Sequence, residues 1–283
     1  VRRGKRIEAL TPAGEQVAER ARRVLDEIAG IKALGDELRG ESSGELSVAT
    51  TQTQARYVLP PVIDAFRRRF PRVDFHLHQG TSEQIARMVD ERRIDFAMLS
   101  GSADAFSNLV VLPIYRWDRV ILVPRDHELA AREQPMDLAT LAQYPLVTYL
   151  FSDRPESSLM RSFSAQGLTP RIAFTARDAD IIKTYVRMGM GVGVLASMAV
   201  EAGDDDDLAA LDATGLFPRL TTWLGFADDL LITERHCEFI KLLAPHFSDD
   251  ILRAICRQEP YDSIRNRLAD FDPPLRTGPV GNG

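Results

Sequence analysis

Cysteine is nearly absent: the 283 residues hold two, Cys237 and Cys256. That is too few for a disulfide-built scaffold and matches no zinc-ligand spacing, so the pair reads as two buried or inert thiols in a reducing compartment. Long apolar runs are missing too. No stretch approaches the roughly 18 residues that span a bilayer. The basic start Val1–Arg6 is not followed by the apolar segment of an export signal. The expected location is therefore the cytoplasm, with no membrane partner. Enzyme signatures are lacking as well: there is no G-x-S-x-G elbow, no P-loop and no H-E-x-x-H. No serine or cysteine has a base assigned by spacing, so catalysis finds no support and no cofactor is implied. His76 and His78 share one face of an expected strand, yet no third metal ligand is placed by any pattern, and packing is the simpler reading. The glycines at 189, 191 and 193 follow a helical pattern and enter a strand. That order reverses a dinucleotide-binding fingerprint and reads as a helix stop.

What remains is ordinary globular material, 45% hydrophobic and 27% charged, long enough for about two domains. The net charge of −6 argues against a surface wrapped in nucleic acid. Its distribution is uneven. Arg2, Arg3, Lys5 and Arg6 crowd the first six residues, while the acidic excess comes later, notably at Asp204–Asp207. A basic end on an acidic body suits phosphate contact at one extremity; a solvated terminus is the plainer alternative.

Residues 11–39 read as one long helix. Thr11 is a good N-cap and Pro12 suits the first helical position. Val17, Ala21, Val24, Ile28, Ile31 and Leu38 recur in heptad steps opposite a charged face. Such a helix is about 40 Å long. It calls for a partner helix, most simply its own copy in a homodimer or a homotetramer. Gly40 to Gly44 form a linker. From Glu45 strands alternate with helices, which implies right-handed crossovers and mostly parallel sheets. Strands are expected near 46–50, 73–78, 94–99, 109–112, 117–123, 146–149, 171–174, 192–195 and 221–226. Helices are expected near 57–69, 82–91, 156–166, 178–188 and 234–243. Asp204–Asp212 reads as acidic and exposed, and the Pro/Gly-rich end beyond about Pro273 as disordered.

Three segments stand where strands end and helices begin, the place where open α/β sheets bind ligands. The first is Ala49–Gln54, in which Thr51, Thr53 and Gln54 offer donors to a carboxylate or sulfate-like oxyanion; plain N-capping by one threonine is the alternative. The second is Ser100-Gly101-Ser102, weak by itself. The third is Thr148–Arg154, where Thr148 lies at a strand end and Arg154 either clamps an anion or faces solvent. Asp178, at a further junction, reads as a helix cap.

These segments carry a resemblance. Arg3–Gly14 resembles the wing-to-linker junction of LysR-type transcriptional regulators. Thr50–Tyr57, His76–Gly80, Leu141–Tyr149, Gly167–Arg171, Asp178–Arg187 and Gly191–Val200 resemble their CysB and Cbl branch, which controls cysteine biosynthesis and sulfur assimilation. The resemblance covers residues 3–250. It implies an α/β fold of two Rossmann-like subdomains of the type II periplasmic-binding-protein kind, preceded by a linker helix. The implied divisions are a wing remnant at 1–10, the dimerisation helix at 11–40, subdomain I at 45–114 plus 220–250, subdomain II at 115–219 and a C-terminal tail at 251–283. It implies a small anionic or acetylserine-type effector in the cleft: O- or N-acetylserine, sulfate, thiosulfate or adenylyl sulfate. The family's anion contacts fall on Thr51, Thr53, Gln54 and Ser100, the last where the family has threonine. A further threonine contact falls on Arg154, a departure that adds charge and bulk. The helix-turn-helix of the family is not in this sequence, so operator DNA is a partner of the intact regulator only, and Arg2, Arg3, Lys5 and Arg6 would contact phosphate without reading bases.

Two rivals share the two-lobe fold. A periplasmic-type solute-binding protein for a small anion would need an export signal and no heptad helix. A porphobilinogen-deaminase-like enzyme would need a cofactor on a loop cysteine, whereas Cys237 falls in an expected helix.

Overall fold

The computed structural model describes residues 2–3, 7–38, 43–101 and 109–276. Strands β1 (Arg2–Arg3) and β2 (Ile7–Ala9) pair antiparallel. Helix α1 (Pro12–Leu38) follows at once, and Thr11 caps it by accepting a hydrogen bond from the Gly14 N–H at 3.1 Å. Of the linker expected from Gly40 to Gly44, residues 40–42 lie outside the described residues, and Gly44 already opens the next strand.

The body is two sheets of five strands. In lobe I, β3 (Gly44–Thr50) lies parallel to β4 (Val73–Gln79) and to β5 (Phe96–Ser100). Strand β12 (Leu220–Phe226) runs antiparallel to β5 and to β6 (Val110–Trp117), which therefore shares the direction of β5, in the order β4-β3-β5-β12-β6. Lobe II has the order β11-β7-β10-β8-β9, from β7 (Arg119–Pro124), β8 (Pro145–Tyr149), β9 (Arg171–Ala176), β10 (Val192–Ala196) and β11 (Leu208–Asp212). Strands β8, β9 and β10 are parallel, as the crossovers require. The chain passes between lobes twice, from β6 into β7 and from β11 back to β12. Asp118 at the first passage holds Arg219 at the second, 3.2 Å apart.

Helices cover both sheets. Lobe I carries α2 (Gln52–Tyr57), α3 (Leu59–Arg69) and α4 (Ser82–Asp90). Lobe II carries the short α5 (Leu138–Leu141), then α6 (Ser158–Ser164) and α7 (Ala179–Arg187). Asp178 caps α7 by accepting from the Ile181 N–H at 2.9 Å, as its position suggests. The glycine rhythm after α7 is a stop with a tight approach: Gly189 has φ +73°, and a Cβ on Gly191 would sit 2.3 Å from the Pro145 carbonyl oxygen. One continuous core runs from Leu46, Phe66 and Phe239 of lobe I to Val147, Ile182 and Leu195 of lobe II.

Three expectations need correction. The segment Asp204–Asp212 is not simply exposed. Leu208–Asp212 is the edge strand β11, and Asp205 is buried, where it accepts from Lys183 Nζ at 2.9 Å and from Arg187 at 2.9 Å. An acidic run looks solvated in sequence, and only the fold reveals the buried lysine that recruits one of its members. The disorder expected beyond about Pro273 does not begin there, since Leu275 is placed against β6. After α8 (Glu234–Leu243), helices α9 (Asp249–Cys256) and α10 (Tyr261–Arg267) bury Ile251, Ile255 and Ile264, and Leu275 bridges to Arg116 of β6. Residues 277–283 lie outside the described residues. Finally, the cysteines are not thiols. Helices α8 and α9 bring Cys237 and Cys256 to a Cα separation of 5.7 Å, joined as a disulfide.

Candidate functional site

Strand β3 ends at Thr50, and α2 begins two residues later. Thr51 takes the N-cap position with extended backbone, yet its hydroxyl makes no capping hydrogen bond. The simple capping explanation for this threonine therefore fails, and the hydroxyl is left for another partner. Two residues on, Thr53 is buried and donates weakly to the Tyr149 hydroxyl of lobe II at 3.5 Å. The same Tyr149 oxygen accepts the backbone N–H of Ala196 at 3.2 Å. Burial pushes the Tyr149 phenol above its ordinary range, so it stays protonated there. The carboxyl ends of β3, β8 and β10 thus meet at one place, on opposite sides of the cleft.

Gln54 faces the floor. Its Nε2 donates to Ser100 Oγ at 3.5 Å and to Thr222 Oγ1 at 3.4 Å, and its Oε1 accepts from the Tyr115 hydroxyl. Ser100 and Thr222 are 3.0 Å apart. Gln54, Ser100, Thr222 and Tyr115 form a buried polar cluster whose members satisfy one another. Neither Tyr115 nor Thr222 was apparent from sequence, because both sit in crossover strands rather than at strand-to-helix junctions. Ser102, next to Ser100, lies outside the described residues.

Thr148 goes elsewhere. Its hydroxyl donates to the Val194 carbonyl at 2.7 Å and is fully buried between strands. Strand alternation explains this: Val147 and Tyr149 face the core shared with lobe I, so Thr148 must face away. The member of this segment at the cleft is Tyr149, which the sequence did not single out. Arg154 lies at the rim, half exposed, with Nη1 donating to Glu83 Oε1 of α4 at 2.8 Å. The arginine's hydrogen bond holds the Glu83 carboxyl down to about 2. On the other side of the cleft, Tyr57 donates to Asp180 at 2.6 Å, and Arg56 pairs with Asp180 at 3.1 Å. The lobes are thus joined by polar contacts at both rims. A groove of about 430 Å³ lies away from the cleft, between β6, β12 and α10, walled by Val111, Trp223, Tyr261 and Phe271.

No helix among the described residues is long and apolar enough to cross a membrane. Among them, too, no three His, Cys, Asp or Glu side chains gather in a metal-holding group. The two-lobe arrangement finds its counterpart in known proteins. Residues 39–248 match the model of the LysR substrate binding domain. The chain belongs to the LysR family. This LysR-type chain is 38% identical to the HTH-type transcriptional regulator CysB of Haemophilus influenzae, over 93% of its own length and 81% of that protein's. It is 36% identical to the regulator SsuR of Burkholderia cenocepacia, over 91% and 83% of the two lengths. Its fold superposes on the crystal structure of the cofactor-binding domain of the Cbl transcriptional regulator with a TM-score of 0.71 at 37% identity, covering 77% of this chain and 94% of that one. It is therefore a LysR-type transcriptional regulator of the CysB, Cbl and SsuR kind, with two lobes of the type II periplasmic-binding-protein fold.

Along α1, Val17, Val24, Ile28 and Ile31 are 67%, 58%, 57% and 68% exposed, too much apolar surface for a helix that ends its packing on one chain. Ala21 shares this exposed face, and the Leu38 side chain lies outside what the structure describes. At the N-terminus, Arg2 and Arg3 belong to the β1–β2 hairpin, and Lys5 and Arg6 lie outside the described residues.

Proposed function

We propose that this regulator senses a small anionic or acetylserine-type effector related to sulfur metabolism in the cleft between its lobes. The observation that carries the reading is the Thr51 hydroxyl, set at the head of α2 and not used to cap it. Thr51 and Thr53 bind the effector's oxygen atoms from lobe I, with Gln54 and Ser100 turning part of their cluster toward it. Neutral donors suit an anion that must be released again, since each hydrogen bond to a charged acceptor is strong without a fixed counter-charge. Tyr149 accepts or donates from lobe II, so the effector favours the closed arrangement by touching both lobes. Only that differential affinity can move the open–closed equilibrium. Arg154 acts at the rim through Glu83, and Thr148 serves the sheet.

The apolar face of α1, from Val17 through Ala21, Val24, Ile28 and Ile31 to Leu38, joins two chains, and dimers pair into a tetramer whose geometry on operator DNA follows lobe closure. Arg2, Arg3, Lys5 and Arg6 contact DNA phosphates. The regulator works in the cytoplasm, with no cofactor beyond the effector. The alternative of a transported-solute receptor for a small anion is disfavoured by the helix α1 and by the family membership.

A calorimetric titration with sulfate, thiosulfate, adenylyl sulfate, O-acetylserine and N-acetylserine tests this. One of them binds to the wild-type chain and at least tenfold more weakly to Thr53→Ala. Equal binding to both proteins, or binding of none of the five, sinks the proposal.

A further inference from the structure

The edge of lobe I is closed by a segment from near the C-terminus. Strand β6 is the last of its sheet, and an edge strand leaves a row of backbone groups unpaired. At Arg116 that row is filled. The Arg116 N–H donates to the Pro274 carbonyl at 2.8 Å, and its carbonyl accepts the Arg276 N–H at 2.8 Å. The Arg116 side chain holds the same segment through Asp272, 2.5 Å away. Apolar burial does not explain why the chain stays docked as far as residue 276, because Leu275 is 40% exposed. The partly buried side chain is that of Arg276.

Arg276 reaches two groups behind the cleft. The first is the Tyr57 carbonyl at the end of α2, to which its Nη2 donates at 3.3 Å. The sequence explains why that carbonyl needs a donor. A helical carbonyl ordinarily accepts an N–H from three or four residues on, and here those residues are Pro60 and Pro61, which have none. A cation is also favoured at a helix C-terminus. With six residues, α2 has little stability of its own, yet it carries Thr53 and Gln54. Lobe II grips the same helix end only through side chains, with Asp180 accepting from the Tyr57 hydroxyl at 2.6 Å and pairing with Arg56.

The second group is Tyr115, whose ring centroid lies 5.5 Å from the Arg276 guanidinium carbon. A cation on the face of the ring holds it in place. The Tyr115 hydroxyl donates to Gln54 Oε1, which leaves the Gln54 Nε2 facing Ser100 and Thr222. Burial raises the Tyr115 phenol above its ordinary range, so it stays protonated and serves Gln54 as a donor. One side chain thus backs both the helix that carries Thr53 and the amide of Gln54.

We propose that Arg276 is a positioning residue for the effector cleft. Through the Tyr57 carbonyl it fixes the end of α2, and through Tyr115 it fixes the Gln54 amide, so the C-terminal segment takes part in sensing without touching the effector. This role rests on the cleft as the effector site, while the hold on α2 is a property of the ligand-free chain.

Hydrogen–deuterium exchange of the ligand-free full chain reads that hold. Wild type, Arg276→Met and Arg276→Lys are compared, since Lys keeps a charge and a donor and Met keeps neither. The amides of Ala55 to Val58 should exchange about tenfold faster in Arg276→Met, for the loss of one charge-assisted hydrogen bond, and Arg276→Lys should restore most of the protection. The amides of α6 in lobe II should not change. Equal rates in wild type and Arg276→Met overturn the proposal. So does a rise spread evenly over both lobes, which would make Arg276 a general stabiliser. The second arm is calorimetry with sodium sulfate and with N-acetylserine. Whichever binds wild type should bind Arg276→Met about three- to tenfold more weakly, with Arg276→Lys close to the parent. A loosened α2 with unchanged affinity overturns the role in sensing. If neither compound binds wild type, the cleft reading falls by itself, and exchange alone decides whether Arg276 positions α2.

Discussion

Arg154 and Glu83 meet across the rim of the cleft, Nη1 to Oε1 at 2.8 Å, one from each lobe. Both are more than half exposed, so the pair acts as a weak latch, screened by salt. Replacing Glu83 by Gln, or Arg154 by Ala, should shift the ligand-free chain toward open lobes by roughly two- to fivefold. The reversed pair Glu83→Arg with Arg154→Glu should restore closure. Inter-lobe distances from paired spin labels measure it. Unchanged distances in both single variants would show that the latch has no hold on the lobes.

The latch has a defined pH range. The Glu83 carboxyl lies at about 2 in the fold against an ordinary 4.5. A lowered carboxylate contributes fully above its ordinary value and loses its contribution as pH falls toward the folded one. Closure should therefore be flat from pH 5 to 8 and weaken only below about pH 4.5, while 0.5 M salt weakens it at any pH. A transition near pH 6 to 7 would point to a histidine and away from Glu83.

Asp205 should be costly to remove. Burial pushes its carboxyl up, but hydrogen bonds from the Glu201 N–H and Lys183 outweigh this and hold it low. Asp205→Ala leaves the Lys183 ammonium, 3% exposed, without its buried partner. The loss should be about 3–5 kcal/mol in urea unfolding. Because the group is depressed, part of the wild-type stability should vanish as pH falls below the ordinary carboxylate range, and this part should be absent from the variant. A loss below about 1 kcal/mol would contradict the buried-pair reading.

The sequence made the parallel core legible, because strand segments such as Phe96–Leu99 and Val192–Leu195 are apolar throughout and are followed or preceded by helix caps. The junction Ala49–Gln54 was legible for the same reason: hydroxyls and amides cluster where a strand feeds a helix. Thr148 was misplaced because a one-residue step along a strand reverses the face, and Tyr149 takes the cleft instead. Tyr115 and Thr222 were invisible, since a crossover strand looks like any other strand until its neighbour is known. Asp205 and the ordered segment through Leu275 depend on distant partners, Lys183 and Arg116, which no local pattern encodes.

The two sulfurs should report their pairing directly. Air-equilibrated, unfolded protein should show no free thiol, and two after reduction. Reduction should lower stability by about 3 kcal/mol for a loop of this size. Two free thiols in the untreated protein would mean that α8 and α9 hold the cysteines reduced, as expected in the cytoplasm.

The exposed stripe on α1 predicts association. Val24→Glu together with Ile28→Glu should turn an oligomer into a monomer in light scattering, with the lobes still folded. An unchanged mass would place the interface elsewhere.

The measurement that tests the central claim most directly is a crystal structure of the chain with whichever of the five sulfur-related compounds binds tightest. The account predicts an effector oxygen within about 3 Å of both the Thr51 and Thr53 hydroxyls, with Tyr149 closing over it from lobe II. A compound bound elsewhere, with Thr51 and Thr53 untouched, would contradict it.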